Sequence, residues 1–264
     1  MLSEWWTYRP HDFLMFAPRT YWRLFELQAD TWPLLRWSLL AAGALVLLAL
    51  WVTSGEHAAP EAARWRGRWL PSVALLGLTG VWAFVALAFI HARLVPINWA
   101  AQGLVVLWLA QALLLASAAC VRAIPPAPLA RRVVGRTRRW LAGALGVLAI
   151  ALYPVLPLFA GRPLSQGEWF GMAPDPTLVL TLAVLLLLPT RDSDADAPPA
   201  GLRSKLLRAL TALIWLFAVL TGMASCAVLL VMGAPEGLLL GGVLLLALGM
   251  AARTPSRAAL RHRS

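Results

Sequence analysis

Charged residues are scarce in this sequence. Of its 264 residues, 13% are charged and 60% are hydrophobic, and the mean hydropathy is +0.72. A soluble domain carries roughly a quarter charged residues. The low charge content therefore argues against a cytosolic enzyme, and long apolar runs indicate a protein that crosses a membrane several times.

Cysteine, lysine and histidine are also rare. Cys120 and Cys226 lie far apart and predict neither a disulfide within the chain nor a zinc site. Lys205 lies at the edge of an apolar run, whereas a retinal Schiff base needs a lysine deep inside a helix. No Asp, Glu or Lys falls in the middle of a run, which argues against a proton pump. We therefore predict no metal and no cofactor.

Seven apolar runs predict an all-α, polytopic membrane helix bundle of about seven transmembrane helices. They are residues 34–53, 71–91, 98–119, 140–160, 176–189, 206–233 and 237–252. The fifth and seventh are short: at about 1.5 Å per residue they reach about 21 to 24 Å across a hydrocarbon core near 30 Å. A re-entrant pair formed by these two is the alternative. The bundle is predicted as one domain over 34–252, between an outer segment, 1–33, and a basic tail, 253–264.

The segment before the first run predicts an amphipathic helix. Its charged residues recur at helical spacing, while aromatic and aliphatic residues share another face. The charged positions are Arg19, Arg23, Glu26 and Asp30. We expect this helix to lie in the outer membrane interface. Packing on the end of the bundle, without a role at the lipid surface, is an equal alternative.

The loops differ strongly in positive charge. Seventeen of the 23 lysines and arginines fall on one side of the predicted membrane and six on the other. The positive-inside rule then places the N-terminus outside and the C-terminus in the cytoplasm. The net charge of +11 belongs to short cytoplasmic loops, which are expected to meet anionic lipid headgroups. Because membrane topology accounts for these arginines, no nucleic-acid partner is predicted.

The candidate site lies on the outer side, where histidine, asparagine and charges of both signs come together. Its residues are His91, Arg93, Asn98, Glu168 and Asp175. For Asp175, which precedes Pro176, and for Asn98, the structural alternative is capping of a helix N-terminus. His91 and Glu168 have no such local role.

Several segments carry a family resemblance. LVPINWAAQGLVVLWLAQALLL, YPVLPLF, WFGMAPDPTLVLTLAVLLLL and MGAPEG, together with FLMFAPRTYWRLFELQADTWP, follow one another in the same order as in a bacterial family of small polytopic membrane proteins. The chain resembles this family, the domain-of-unknown-function family 6064. The resemblance implies a bacterial inner-membrane protein and supplies no activity.

Three functions are compatible with these features. The first is a non-enzymatic accessory or scaffold subunit of a membrane complex, bound to a membrane-protein partner or to copies of itself. The second is a small permease or channel-like transporter with an outward-facing site, since short, proline-flanked helices often mark substrate sites. The third is a membrane enzyme acting on lipid-linked substrates, which no nucleophile–base spacing supports.

Overall fold

The computed structural model describes residues 16–54, 60–123, 134–188 and 201–252, with the backbone alone for 60–68. The basic tail, 253–264, and the first fifteen residues of the segment 1–33 lie outside the described residues. Apart from an isolated bridge between Phe170 and Ala173, the regular elements in the described ranges are helices. The prediction of an all-α protein is confirmed for this part of the chain.

Nine α-helices follow one another within the described residues: α1 (Pro18–Thr31), α2 (Pro33–Thr53), α3 (Pro60–Phe84), α4 (Gln102–Ala123), α5 (Arg136–Val147), α6 (Leu156–Phe159), α7 (Pro174–Leu187), α8 (Leu202–Val231) and α9 (Glu236–Ala252). Two of them continue as π-helices, α3 through Val85–Leu94 and α5 through Leu148–Leu152. Short 3-10 turns connect to α4 and α6. Each of the seven predicted apolar runs coincides with a helix.

Five of these helical segments are long and apolar enough to cross a membrane. They are Pro33–Thr53, Trp69–Leu94, Trp99–Ala123, Arg136–Phe159 and Leu202–Val231. The remaining two apolar helices, α7 and α9, have 14 and 17 residues. The outer surface of the bundle is rich in exposed aliphatic side chains, such as Leu34, Leu45 and Leu245. Apolar exposure on this scale suits a hydrocarbon environment and would be unfavourable in water.

One end of the bundle, which we call the basic end, is held by arginines. Arg203 donates from Nε to the carbonyl oxygen of Val121 (3.0 Å) and from Nη2 to that of Arg122 (3.2 Å). Arg138 donates from Nη2 to the carbonyl oxygen of Leu185 (3.2 Å). A helix leaves its last carbonyls without partners. The C-terminal turns of α4 and α7 are thus bonded by arginines from the first turns of α8 and α5.

The opposite end, which we call the acidic end, contains Glu168, Asp175 and Glu236. α2 runs from this end to the basic end. Near its start Trp37 packs against Trp169, with ring centroids 5.4 Å apart. After its last turn, the carbonyl oxygen of Ser54 accepts a hydrogen bond from the backbone of Val134, at 3.3 Å. Both α7 and α9 begin at the acidic end, as α2 does.

α1 packs across the acidic end. Its buried face includes Tyr21, Trp22, Phe25 and Gln28, while Arg19, Arg23 and Asp30 are exposed. Phe25 stacks on Phe89 of the first π-helix, with ring centroids 4.9 Å apart. Pro18–Thr31 is therefore a helix that packs on the bundle, and its position in a membrane interface stays a prediction.

α7 lies at the centre of the bundle. Every one of its residues from 175 to 187 is buried. The indole Nε1 of Trp82 donates to Thr181 Oγ1 at 2.9 Å, and the Trp82 ring lies 3.9 Å from that of Trp108. Thr181 in turn donates to the carbonyl oxygen of Thr177, at 2.7 Å. A helix enclosed in this way has no surface left for lipid.

The two cysteines lie towards opposite ends of the bundle, and both are free. Cys226 donates to the carbonyl oxygen of Gly237 at the start of α9 (3.1 Å), whereas Cys120 lies two residues before Arg122 at the basic end. Gly237 and Gly241 both face α8, where a Cβ would meet Leu229 or Cys226. Gly237 and Gly241 therefore serve packing within the chain.

Candidate functional site

The loop between α6 and α7 folds back into the acidic end. Gly167 passes so close to Pro154 that a Cβ there would overlap the carbonyl oxygen of Pro154. Gly171 has a φ of +78°, and its N–H donates to Thr177 Oγ1 at 3.0 Å. These two glycines let the loop pack against the 3-10 turn that contains Pro154 and against the first turn of α7. As a result Glu168, between them, is 3% exposed.

Three carboxyl groups are buried at this end. Glu168, Asp175 and Glu236 are 3%, 1% and 4% exposed. We call them the carboxylate cluster. Each has one oxygen that is buried and has no hydrogen-bond partner in the described part of the chain: Glu168 Oε2, Asp175 Oδ2 and Glu236 Oε2. Buried polar groups are normally satisfied, so three unpartnered carboxylate oxygens at one end of the bundle make this end the candidate site.

Two members of the cluster have a side-chain partner. Ser225 of α8 donates to Asp175 Oδ1, and Arg162 Nη2 forms an ion pair with Glu236 Oε1. The guanidinium of Arg162 also lies over the ring of Trp22, with Cζ 3.5 Å from its centroid. Arg162 therefore joins the loop to α1 and α9 at once.

The charges in this cluster do not balance. Ionised, the three carboxylates carry three negative charges against the single positive charge of Arg162. A charge moved out of water is unfavourable unless it is paired. The cluster therefore favours a bound proton or a bound cation.

The surroundings of Glu168 and Asp175, which precede the apolar run 176–189, favour the protonated form of both acids. Burial raises the pKa of Glu168 well above its usual range, and Asp175 and Glu236 raise it further while Arg162 lowers it. Burial also raises the pKa of Asp175, to about 6, against the hydrogen bond from Ser225, which lowers it. Strongly perturbed acids in a cleft are typical of functional sites.

A cleft opens beside Asp175. Its enclosed volume is about 50 Å³, and it is open to the surface on one side. Helices α1, α4, α7 and α8 and the first π-helix form its walls. The lining residues are Phe16, Tyr21, Ile90, Leu94, Asn98, Leu104, Trp108, Pro174, Asp175, Leu178, Thr221, Ala224, Ser225 and Val228. A mainly apolar cleft with a few convergent polar groups has the character of a small-molecule site.

The five residues predicted as a site are placed differently. Glu168 and Asp175 belong to the carboxylate cluster, and Asn98 lines the cleft. Arg93 is bound to α1, donating to Gln28 Oε1 at 2.5 Å and to the hydroxyl of Thr31. His91 is exposed. The structure thus brings two of the five together in the cluster, adds a third at the cleft, and gives Arg93 a packing contact.

The capping alternatives have opposite outcomes. Asn98 Oδ1 accepts from the backbone N–H of Ala100 at 3.1 Å, so Asn98 caps the turn that begins the third span. Asp175 is not a cap, which corrects that interpretation: α7 begins at Pro174, and its N-cap residue is Ala173, without a side-chain cap bond. The carboxylate of Asp175 instead accepts from Ser225, fifty residues away.

Sequence reasoning missed three contributors to the site. They are Glu236, Arg162 and Ser225, which are not among the five residues predicted as a site. The π-helices were missed as well. The first donates from Val95 N–H to the carbonyl oxygen of Ile90 (2.9 Å), and π-helical turns often occur at functional sites. Glu236 and Arg162 each stand as a single charge next to an apolar run, and this position is the sequence feature that could have marked them as candidates.

The described residues define an all-helical chain with several long apolar helices, which are the mark of a membrane protein. The chain belongs to the family of unknown function DUF6064, which matches residues 34–193, more than half of its length. The family resemblance predicted from the sequence is thus confirmed. The matched range includes Arg162, Glu168 and Asp175, and it ends before Ser225 and Glu236. No match was found among curated proteins or among solved structures.

Proposed function

We propose that this protein is a small permease of the bacterial inner membrane that binds a solute in the cleft beside Asp175. The observation that carries the proposal is the buried, half-satisfied carboxylate of Asp175 in the wall of an open cleft. Asp175 stands in the first turn of a short helix enclosed by the bundle. Short helices that end at a substrate are a recurring feature of transporters. We assign the site a binding role and no catalytic one.

In this proposal all seven apolar helices cross the membrane. α7 rises about 21 Å over its 14 residues, less than a hydrocarbon core of about 30 Å. Its enclosure removes the mismatch, because neighbouring helices and not lipid surround it. Arg138 closes its C-terminal end by hydrogen bonding to Leu185. The contact between the last turn of α7 and the first turn of α5 supports a full crossing over a re-entrant path.

The acidic end faces the outside in this proposal. The charge bias of the loops supports it, with the N-terminus outside and the C-terminus in the cytoplasm. Arg122, Arg138 and Arg203 then lie at the cytoplasmic surface, where anionic headgroups meet them. Solute would enter the cleft from the outer side, past Phe16 and Tyr21.

α1 is the element that would open and close this entrance. Besides its apolar face, polar contacts hold it down, three of which come from different parts of the chain. Arg93 bonds to Gln28, Glu26 accepts from the hydroxyl of Ser165 at 2.9 Å, and Arg162 stacks on Trp22. All three join α1 to segments that border the cleft or the cluster. Release of these contacts would expose the cleft without unfolding the bundle.

The experiment is reconstitution of the full chain into proteoliposomes, followed by exposure to a mixture of small metabolites and mass spectrometry of what the vesicles retain. We expect a retained compound with wild-type protein and a loss of at least tenfold with Asp175→Asn. Asp30→Asn is the matched control, because Asp30 is exposed on α1 and does not line the cleft. Equal retention by wild type, Asp175→Asn and empty vesicles would contradict the proposal.

An accessory subunit is the second candidate. The exposed face of α3 favours it, since Gly77 and Gly80 have no neighbouring atom within 4 Å of a Cβ position and offer close approach to another helix. Purification in mild detergent separates the two candidates. A stoichiometric membrane partner, combined with no retained solute, would favour the accessory role.

A further inference from the structure

We propose that the solute of this cleft is an organic ammonium ion with an apolar body, held with its charged nitrogen at Asp175 and its apolar part between α4, α7 and α8. This inference rests on the proposed function and names the chemical class of the solute. It follows from three features of the cleft: its charge, the carboxylate oxygen of Asp175 that has no hydrogen-bond partner, and the apolar character of its walls.

The charge of the cleft is negative. Asp175 is the one carboxylic acid among the described lining residues. No lysine or arginine of the described chain lines the cleft. The nearby Arg162 forms an ion pair with Glu236, stacks on the ring of Trp22 and does not line the cleft. An anionic solute would therefore meet a carboxylate and no basic side chain among the described lining residues. A cation would lower the net negative charge of the whole carboxylate cluster.

Asp175 has an acceptor to spare. Ser225 donates to its Oδ1, while Oδ2 is buried and has no partner in the described chain. An ammonium group is a compact donor of hydrogen bonds, and bonds from an ionised donor to a carboxylate are among the stronger ones. The hydroxyl of Thr221 and the amide of Asn98 lie in the same walls. They offer further oxygens to the remaining ammonium hydrogens.

The walls select for an apolar body. Ile90, Leu94, Leu178 and Val228 are aliphatic and line the cleft. A metal ion demands a shell of oxygen, nitrogen or sulfur ligands, which such walls do not supply. An organic cation is stabilised in two ways in such a cleft. Its carbon skeleton is removed from water, and its charge is paired with the carboxylate.

Aromatic rings add to this selection. Tyr21 and Trp108 line the cleft, and the faces of such rings attract cations. The Trp108 ring is fixed by its packing on Trp82, which in turn is bonded to Thr181 of α7. The aromatic wall is therefore rigid before a ligand arrives.

The test uses three probes that share one ring and differ in charge: benzylamine, benzyl alcohol and benzoate. Binding to the purified full chain in detergent is measured by titration calorimetry. We expect benzylamine to bind at least tenfold more tightly than either of the other two. Asp175→Asn should abolish this preference, whereas Asp175→Glu should keep part of it and Asp30→Asn should keep all of it.

Each outcome decides the inference. Equal binding of the three probes to wild-type protein would overturn the cationic class while leaving a solute-binding cleft, and hence the proposed function, in place. A preference for benzylamine that persists in Asp175→Asn would overturn the assignment to Asp175. Binding of none of the probes would overturn the inference, and the proposed function would then stand or fall on the vesicle retention experiment alone. The comparison of probes on wild-type protein remains decisive even if a variant fails to fold.

Discussion

Replacing Asp175 by Asn should change how the stability of the protein depends on pH. The folded protein holds this carboxyl at a pKa of about 6, because the side chain is buried, whereas its ordinary value is 3.8. Between pH 4 and 6 the folded chain therefore keeps a proton that the unfolded chain has already lost. Raising the pH through this window destabilises the folded wild-type protein relative to the unfolded chain.

The size of this effect follows from the two pKa values. Each unit of pKa is worth about 1.4 kcal/mol, so the free energy of unfolding should fall by about 2 kcal/mol between pH 4 and pH 7 on account of Asp175. Asn has no such titration and preserves an oxygen for the hydrogen bond from Ser225. The stability of Asp175→Asn relative to wild type should therefore rise by about this amount over the same window.

The assay is thermal unfolding of the full chain in detergent at a series of pH values, without added solute. Taking the difference between variant and wild type at each pH cancels the fixed cost of the substitution. Asp30→Asn is the control and should give a flat difference, because Asp30 is exposed. A flat difference for Asp175→Asn, or one that falls with rising pH, would refute the reasoning about the buried carboxylate.

Three further predictions concern the supports of the site and the topology. Arg162→Gln should destabilise the protein by about 3 to 5 kcal/mol, because it leaves the buried Glu236 unpaired; adding Glu236→Gln should restore much of the loss in chemical denaturation. Gly167→Ala should lower the unfolding temperature, since its Cβ would overlap the carbonyl oxygen of Pro154, whereas Gly103→Ala, with open space around it, should not. A fluorescent protein that folds only in the cytoplasm should light up when fused to the C-terminus; a dark fusion would contradict the proposed orientation.

The helices were predictable because their signal is local. An apolar run of sufficient length in a membrane protein has to be helical, since the backbone must satisfy its own hydrogen bonds in lipid. The start of α7 shows the limit of such patterns. Asp175 followed by Pro176 predicts a cap, yet Pro174 is equally suited to the first turn and begins the helix earlier. Asp175 has one proline on each side, and either proline could begin the helix, so the sequence does not determine which residue is the cap.

The site was predictable only in part, because its contacts join distant segments. Glu168 and Asp175 were nominated from their position in outer loops, which proved sufficient to place both in the cluster. The pair of Arg162 and Glu236 spans 74 positions, and nothing in either local sequence points to the other. The π-helices leave the apolar pattern unchanged, so the sequence carries no sign of them. His91 drew attention by its residue type alone and lies exposed.

The most direct test of the central claim, an outward-facing solute cleft at Asp175, is chemical access to its wall. Ala224 lines the cleft and can be changed to cysteine in a chain whose Cys120 and Cys226 are replaced by serine. On intact cells, a thiol reagent that does not cross the membrane should label Ala224→Cys, and benzylamine should slow the labelling. A chain that retains Cys120 alone, towards the basic end, should be labelled only after the cells are opened. Labelling of Ala224→Cys only in opened cells, or at a rate that no solute changes, would contradict the account.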